Sequence, residues 1–430
     1  MNKIISILSL LVILLFPFQT RLIYEPSFLG GQYFEWFSFS LYGIEILIWG
    51  IVVITFFRLI SNKNFWLEIN QARDKKDKWM KIIRPVLFLL FLVLYLFIVP
   101  LNRDLAEYKI FLLLGAGCFS LTLLINKIPF WPILGVLWGG GIVQSYLAIM
   151  QFIFQRTFEN KWLGLALHYP SDLGSAVLQT NEGGRWLRAY GSFGWPNDLG
   201  IYLSITFIIG LMLYNYFPKI KEKVFIFAGQ LIIITGLFFS FSRSAFIALL
   251  LGLIVLFIFE KRKILKSLVA PFILVIILAV IYLPLWQSRI AVENRLEVRA
   301  INERFDQYKD FFEMFLTHPM FGVGPGNYVY ALYNQKINLS PWLYQPVHNI
   351  YLLFLAEWGV VGIIIILFLA FFFCREVLNN NKNILVLWVM ILTAFLFDHY
   401  FYTAYSGIVF LAILFSLSLA KKESSVYISK

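Results

Sequence analysis

The chain has 430 residues, of which 60% are hydrophobic and only 14% charged, with a formal net charge of +12. A soluble domain of this length carries about 25% charged residues, so a large water-soluble domain is excluded. The positive balance does not point to nucleic acid either: no basic, aromatic-interleaved soluble segment is present, and in a membrane protein the position of each charge matters more than the sum.

Apolar runs of roughly 16 to 25 residues recur from end to end, long enough to cross a bilayer as helices. The reading is an all-α integral membrane protein: a single membrane domain over 1–430, built as a polytopic bundle of about twelve transmembrane helices. In chain order the expected spans are 4–18, 37–59, 83–100, 107–125, 130–155, 197–216, 224–241, 244–260, 265–285, 348–373, 384–402 and 404–420. The first has no small-x-small cleavage pattern, so it reads as a span and not as a signal peptide. Cys118 and Cys374 lie in apolar runs without CxxC spacing and read as small core residues.

Most of the 36 basic residues fall in segments that share one side if both termini are cytoplasmic, including Arg73 to Lys78 and Lys261 to Lys266. The positive-inside rule supports that orientation. It leaves two long outer loops, 156–196 and 287–347. The second is not structureless. Ile301, Phe305, Tyr308, Phe312 and Phe315 recur at steps of four and three, opposite Glu303, Asp306, Lys309, Asp310 and Glu313. This predicts an amphipathic helix at the outer membrane interface, ended by Pro319 and a Gly322, Gly324, Pro325, Gly326 turn.

Three constellations carry candidate chemistry. In the first, Gly191, Gly194 and Pro196 force an irregular backbone before a span, and Asn197 or Asp198 stands where a helix cap is expected. A capped, aromatic-anchored helix entry explains everything from Gly191 onward, but not Arg188. A guanidinium beside a Gly-rich turn and a helix N-terminus suits a phosphate or diphosphate. In the second, Arg243 sits between two spans with almost no loop, among Ser240, Ser242 and Ser244. Snorkelling is the ordinary explanation for such an arginine, yet an outer turn gains nothing from it, so a ligand or partner is expected.

In the third constellation, His348 and Asn349 open a membrane helix directly after the longest outer loop. An imidazole with an ordinary pKa near ~6.5 suits proton transfer at neutral pH, although, taken alone, a helix-capping His is the more ordinary explanation. His168, His318 and His399 are the other histidines. Glu357 lies roughly 13 Å further along the helix, where an ionisable group is expensive and should face the bundle interior. Arg304 belongs to the amphipathic helix, where a headgroup-facing role is the default. No grouping has metal-ligand spacing, and no nucleotide-binding fingerprint appears.

These segments together resemble the O-antigen ligase and polysaccharide polymerase superfamily of bacterial membrane proteins. The matching residues are Arg188, Gly191, Phe193, Gly194, Pro196 and Asn197; Ser242 and Arg243; Arg304; His318, Pro319, Gly322, Gly324 and Gly326; and His348, Asn349, Glu357, Gly359 and Gly362. Ser244 and Ala245 depart from the Gly that many members carry after the arginine. The resemblance implies a metal-independent, inverting glycosyl transfer at the outer face of the cytoplasmic membrane, with no cofactor. The implied donor is a glycan on undecaprenyl diphosphate, and the acceptor a second glycan or a lipid A–core. It gives Arg188 and Arg243 the diphosphate, His348 the acceptor hydroxyl, and Arg304, Asn197, Asn349 and Glu357 substrate binding. The competing reading is a transporter or flippase of lipid-linked glycan or of a small anion such as bicarbonate. Against it, a carrier places its ionisable groups near the midplane within internal repeats, and no repeat is evident.

Overall fold

The computed structural model describes residues 2–61, 95, 98–180, 183–260, 265–290, 295–337, 339–380 and 382–420. Helices α1 (Asn2–Leu15) and α2 (Gly43–Ile60) flank two short antiparallel pairs. These are β1 (Arg21–Glu25) with β4 (Phe39–Tyr42), and β2 (Phe28–Leu29) with β3 (Gln32–Tyr33). Then come α3 (Arg103–Ile125) and α4 (Phe130–Phe154), a hairpin of β5 (Val177–Gln179) and β6 (Arg185–Leu187), and α5 (Pro196–Tyr216), α6 (Ile220–Ser240) and α7 (Arg243–Glu260). The remainder is α8 (Leu265–Ile281), α9 (Leu283–Ile290), α10 (Arg295–Thr317), α11 (Tyr328–Gln335), α12 (Ile350–Asn380), α13 (Leu385–Phe395), α14 (Tyr400–Thr403) and α15 (Tyr405–Leu419).

The all-α membrane class holds, but the expected count of twelve does not emerge. Among the described residues, seven helices are long and apolar enough to cross a membrane: α2 to α7, and α12 as far as Leu378. The bent pair α8 and α9, turned by 87°, is either a broken span, which would make an eighth, or a re-entrant loop. Helices α1, α13 and α15 are apolar but shorter. The expected span 384–402 is the clearest case. It stops at Phe395 and turns through Leu396 to His399, and eleven residues of helix reach only about 16 Å of a core about 30 Å thick. The expected span 83–100 lies almost wholly outside the described residues.

Helix α5 is the axis of the bundle, with 83% of its span buried against α4, α6, α7 and their neighbours. Lipid tails are as apolar as leucine, so such packing rests on close approach through small residues. Gly236 of α6 lies against the Ser145 backbone of α4, where an added Cβ would meet it at 2.7 Å, and Gly229 lies against the Trp138 ring. These contacts bring α4 and α6 together and fix the level at which the α6–α7 turn emerges.

Helix α10 presents its faces differently from the pattern in its sequence. Phe305 and Phe312 of the expected apolar stripe are exposed, together with Val298 and Leu316. Phe311 and Met314 are the side chains buried beneath the helix, in line with buried Glu297. The bundle-facing stripe therefore mixes anchoring apolar groups with polar ones, and it includes Arg304 and Gln307.

Candidate functional site

The site begins at the α6–α7 turn. Phe241 holds a left-handed backbone (φ 47°) without being glycine, a state that costs on the order of 1–3 kcal/mol unless its surroundings enforce it. Its ring is fully buried among Phe152, Phe238 and Trp286, which fixes it there. The forced turn aims two carbonyls at two arginines. Arg188 donates through Nε to the Ser240 carbonyl at 2.9 Å, and Arg289 donates through Nε to the Phe241 carbonyl at 3.4 Å.

Arg188 arrives on the strand end after β6. Its neighbour Ala189 donates to the Phe239 carbonyl at 3.0 Å, which lays the strand along the turn. Gly191 then reverses the chain at φ 59°. A Cβ there would meet Gln144 Oε1 at 2.7 Å and Leu199 Cδ1 at 2.8 Å, so both its conformation and its space require glycine. Gln151 secures the loop by accepting from Tyr190 and Gly191 and donating to the Gly191 carbonyl.

The result is a surplus of positive charge. Arg188 is only 7% exposed, and its side chain donates to neutral oxygens, Ser240 O and Asn197 Oδ1 (2.8 Å). Burial, and after it the charges of Arg289 and Arg243, push its pKa well below the guanidinium value. A guanidinium stays protonated in proteins, so an anion placed here would relieve this unfavourable setting. Arg243 donates to the Arg289 carbonyl at 2.9 Å and to Glu297 at 3.1 Å, and Arg289 pairs with the same Glu297. Two guanidiniums thus share one carboxylate, while Arg188 has no carboxylate within ion-pair distance among the described residues.

The network continues to the histidines. Asn197 takes the Arg188 bond on its oxygen and donates through Nδ2 to Asp398 at 3.3 Å. Asp398 also accepts from the His399 and Tyr400 amides at 2.7 and 3.3 Å. Burial alone would raise its pKa, but His399, His348 and these hydrogen bonds outweigh it and hold the carboxylate below its ordinary value. The His348 and His399 rings lie 4.9 Å apart. Burial first, and then His399, push His348 down to about 4, against the pull of Asp398. It is therefore neutral at pH 7 and able to accept a proton. Arg304 donates to the Phe397 carbonyl at 3.4 Å and seats α10 on this corner.

Arg188, Asn197, Arg243, Arg304 and His348, which the sequence scatters over 160 residues, thus meet with Asp398 and His399 around one corner. Asn349 sits at its edge as a helix cap: its oxygen accepts from Leu352 at 3.1 Å and its amide donates to the Leu396 carbonyl at 3.3 Å. Glu357 lies in a separate centre. Its carboxylate accepts from Gly326 N (2.7 Å), Tyr402 OH (2.6 Å) and Tyr328 N (3.3 Å). Gly359 breaks α12 at φ 64°, and the freed Ala356 and Glu357 carbonyls accept from Val323 and Gly324 at 3.0 and 2.9 Å. The glycine-rich turn after Pro319 supplies this pairing. Sequence reading passed over Arg289 and Glu297. One ends a short helix bent off a span, the other opens α10, and neither stands beside a Gly-rich turn or a helix entry.

Residues 228–367 match the family model described as O-Antigen ligase. The resemblance to the O-antigen ligase and polymerase superfamily therefore holds, and the matched stretch includes Arg243, Arg289, Glu297, Arg304 and His348. Arg188 and Asn197 come from before it. No curated protein matches the chain significantly. The chain is a membrane protein that resembles, in general, a lipid-linked glycan ligase or polymerase.

Proposed function

We propose that the protein transfers a glycan from undecaprenyl diphosphate to an acceptor hydroxyl at the outer face of the cytoplasmic membrane, with inversion and without a metal ion. The observation that supports this reading is the cluster of three guanidiniums, two sharing Glu297 and buried Arg188 bonded only to neutral oxygens, beside a neutral histidine. Arg188, Arg243 and Arg289 take the donor diphosphate, with Glu297 keeping the last two apart and oriented. The acceptor oxygen attacks the anomeric carbon as its proton passes to His348. The bond from that carbon to the diphosphate breaks, and its electron pair leaves with the carrier lipid. Planar guanidiniums neutralise the charge that grows on the leaving group, and in a site shielded from water such groups act strongly.

The orientation, with both termini inside and the loops 156–196 and 287–347 outside, is supported by the distribution of basic residues. The exposed apolar stripe Val298, Phe305, Phe312 and Leu316 supports a seat for α10 in the outer leaflet. A polar site gathered at helix ends and loop corners favours transfer over carriage, which would place its ionisable groups near the midplane. Purified protein in liposomes with an undecaprenyl-diphosphate-linked glycan should form polymer or ligated product, and EDTA should leave the rate unchanged. Movement of the donor across the bilayer with no new glycosidic bond would overturn the reading in favour of a flippase.

A further inference from the structure

Gln307 of α10 makes two contacts with one residue. Its Oε1 lies 3.3 Å from the His348 backbone nitrogen and 2.9 Å from His348 Nδ1. A backbone nitrogen can only donate, so the Gln307 atom it meets is the amide oxygen and not the nitrogen. An amide oxygen cannot donate in turn. The ring nitrogen facing it must therefore carry its proton, and in a neutral imidazole that leaves Nε2 as the basic atom. The tautomer follows from the bonding pattern alone.

The neighbouring His399 ring is engaged by Thr403, whose hydroxyl lies 3.1 Å from the His399 carbonyl and 2.7 Å from His399 Nδ1 and can give its one proton to either. The charged and titratable groups facing His348 are His399 and Asp398 from the corner after α13, and Arg304 and Glu303 from α10. Among the hydrogen bonds of the described residues, none joins these groups to the His348 ring. The bond to its Nδ1 comes from uncharged Gln307. Gln307 is itself held by α10, where Arg304 one turn before and buried Phe311 one turn after lie on the same face.

We propose that Gln307 is a positioning residue for His348: its side-chain oxygen holds the ring as the Nδ1–H tautomer and leaves Nε2 to take the proton of the acceptor hydroxyl. The inference rests on His348 being the base. It gives α10 a defined part in the chemistry, since the loop helix must be docked for the base to be correctly presented.

The test measures transfer against pH for the wild type and for His348→Ala, Gln307→Ala and Gln307→Glu, alongside ¹⁵N-histidine NMR of the detergent-solubilised wild type. Gln307→Ala should lower kcat roughly 10- to 100-fold, the scale of a misplaced catalytic group, with little change in KM for the donor. Gln307→Glu still accepts both hydrogen bonds, but its negative charge favours the imidazolium. It should retain activity with the acidic limb of the profile moved to higher pH. The wild-type spectrum should contain an Nδ1–H signal that His348→Ala removes. If His348→Ala transfers normally, the base assignment fails and the role of Gln307 falls with it. If His348→Ala is inactive while both Gln307 variants match the wild type in rate and profile, Gln307 is not the positioning residue. An Nε2–H signal for His348 would overturn the tautomer even if the variants do not fold.

Discussion

Two buried polar centres meet across α14 in this bundle, and their hydrogen bonding differs in kind. Around Glu357 the charged groups are engaged: the carboxylate takes two amides and the Tyr402 hydroxyl, while Lys109 donates to the Tyr402 carbonyl and lies 4.1 Å from the ring centroid. Around Arg188 the positive groups outnumber the negative ones, and the most buried guanidinium donates to neutral oxygens. Both centres are costly to bury. The first offsets that cost within the protein and holds the α12 break together. The second leaves it partly uncompensated, which is the expected condition of a site that completes itself with an anionic ligand.

The strongest way to break the contrast is at His348. His348→Ala should reduce transfer about 10²- to 10⁴-fold while insertion and donor binding persist. Lipid-linked donor should accumulate in cells. The wild-type rate should hold steady as the pH drops from neutral and fall only toward about 4, because burial has moved the histidine there and only its neutral form accepts a proton. Near-normal product from His348→Ala would move the base elsewhere, to Asp398 first.

Next in size are Arg188→Lys and Arg243→Lys. A lysine keeps the charge but loses the planar fork, and we expect a loss on the order of 10²-fold for each, comparable with removing one charge-stabilising donor. Binding of the donor should weaken with it, measured by titration of the lipid diphosphate into detergent-solubilised protein. Lys variants as active as the wild type would make these arginines interface anchors.

Smaller, and opposite in character, is Glu357→Gln. The substitution turns one carboxylate oxygen into a donor amide that faces Gly326 N and Tyr402 OH or Tyr328 N. A buried unmatched donor costs about 1–3 kcal/mol. The melting temperature in detergent should fall, while the transfer rate per folded molecule stays near wild type. A rate lost without a change in melting temperature would put Glu357 in the substrate site and dissolve the distinction between the two centres.

The sequence carried more of the bundle than of the site. Hydropathy located the long spans because burial in lipid demands continuous apolar runs. It could not foresee that 384–402 breaks at Phe395, since Leu396 and Phe397 are as apolar as the helix before them, and the break places Asp398 and His399 at a corner. Arg188 stood out because nothing in its Gly-rich surroundings required a charge. Arg289 and Glu297 did not, because each resembles an ordinary headgroup-facing residue until the 87° bend after α8 turns α9 back toward the α6–α7 turn. Gln307 is uncharged and belongs to no motif. Its importance exists only in the distance to His348. The short strands between α1 and α2 were also illegible, since residues 20–42 hold too few alternating positions to register as strands.

The smallest expected effect tests where the boundary between the two kinds of residue runs. Asn349 adjoins His348 in sequence, and the family resemblance gave it a substrate-binding part. In the structure both ends of its side chain are engaged by protein: the oxygen caps α12 through Leu352, and the amide reaches the Leu396 carbonyl. Loss of such a cap costs about 1 kcal/mol, so Asn349→Ala should lower the melting temperature slightly and leave KM for donor and acceptor close to wild type. Asn349→Asp keeps the capping oxygen and should restore most of that stability. A raised acceptor KM in the Ala variant at unchanged melting temperature would place Asn349 on the substrate side and extend the ligand-completed centre one residue into α12.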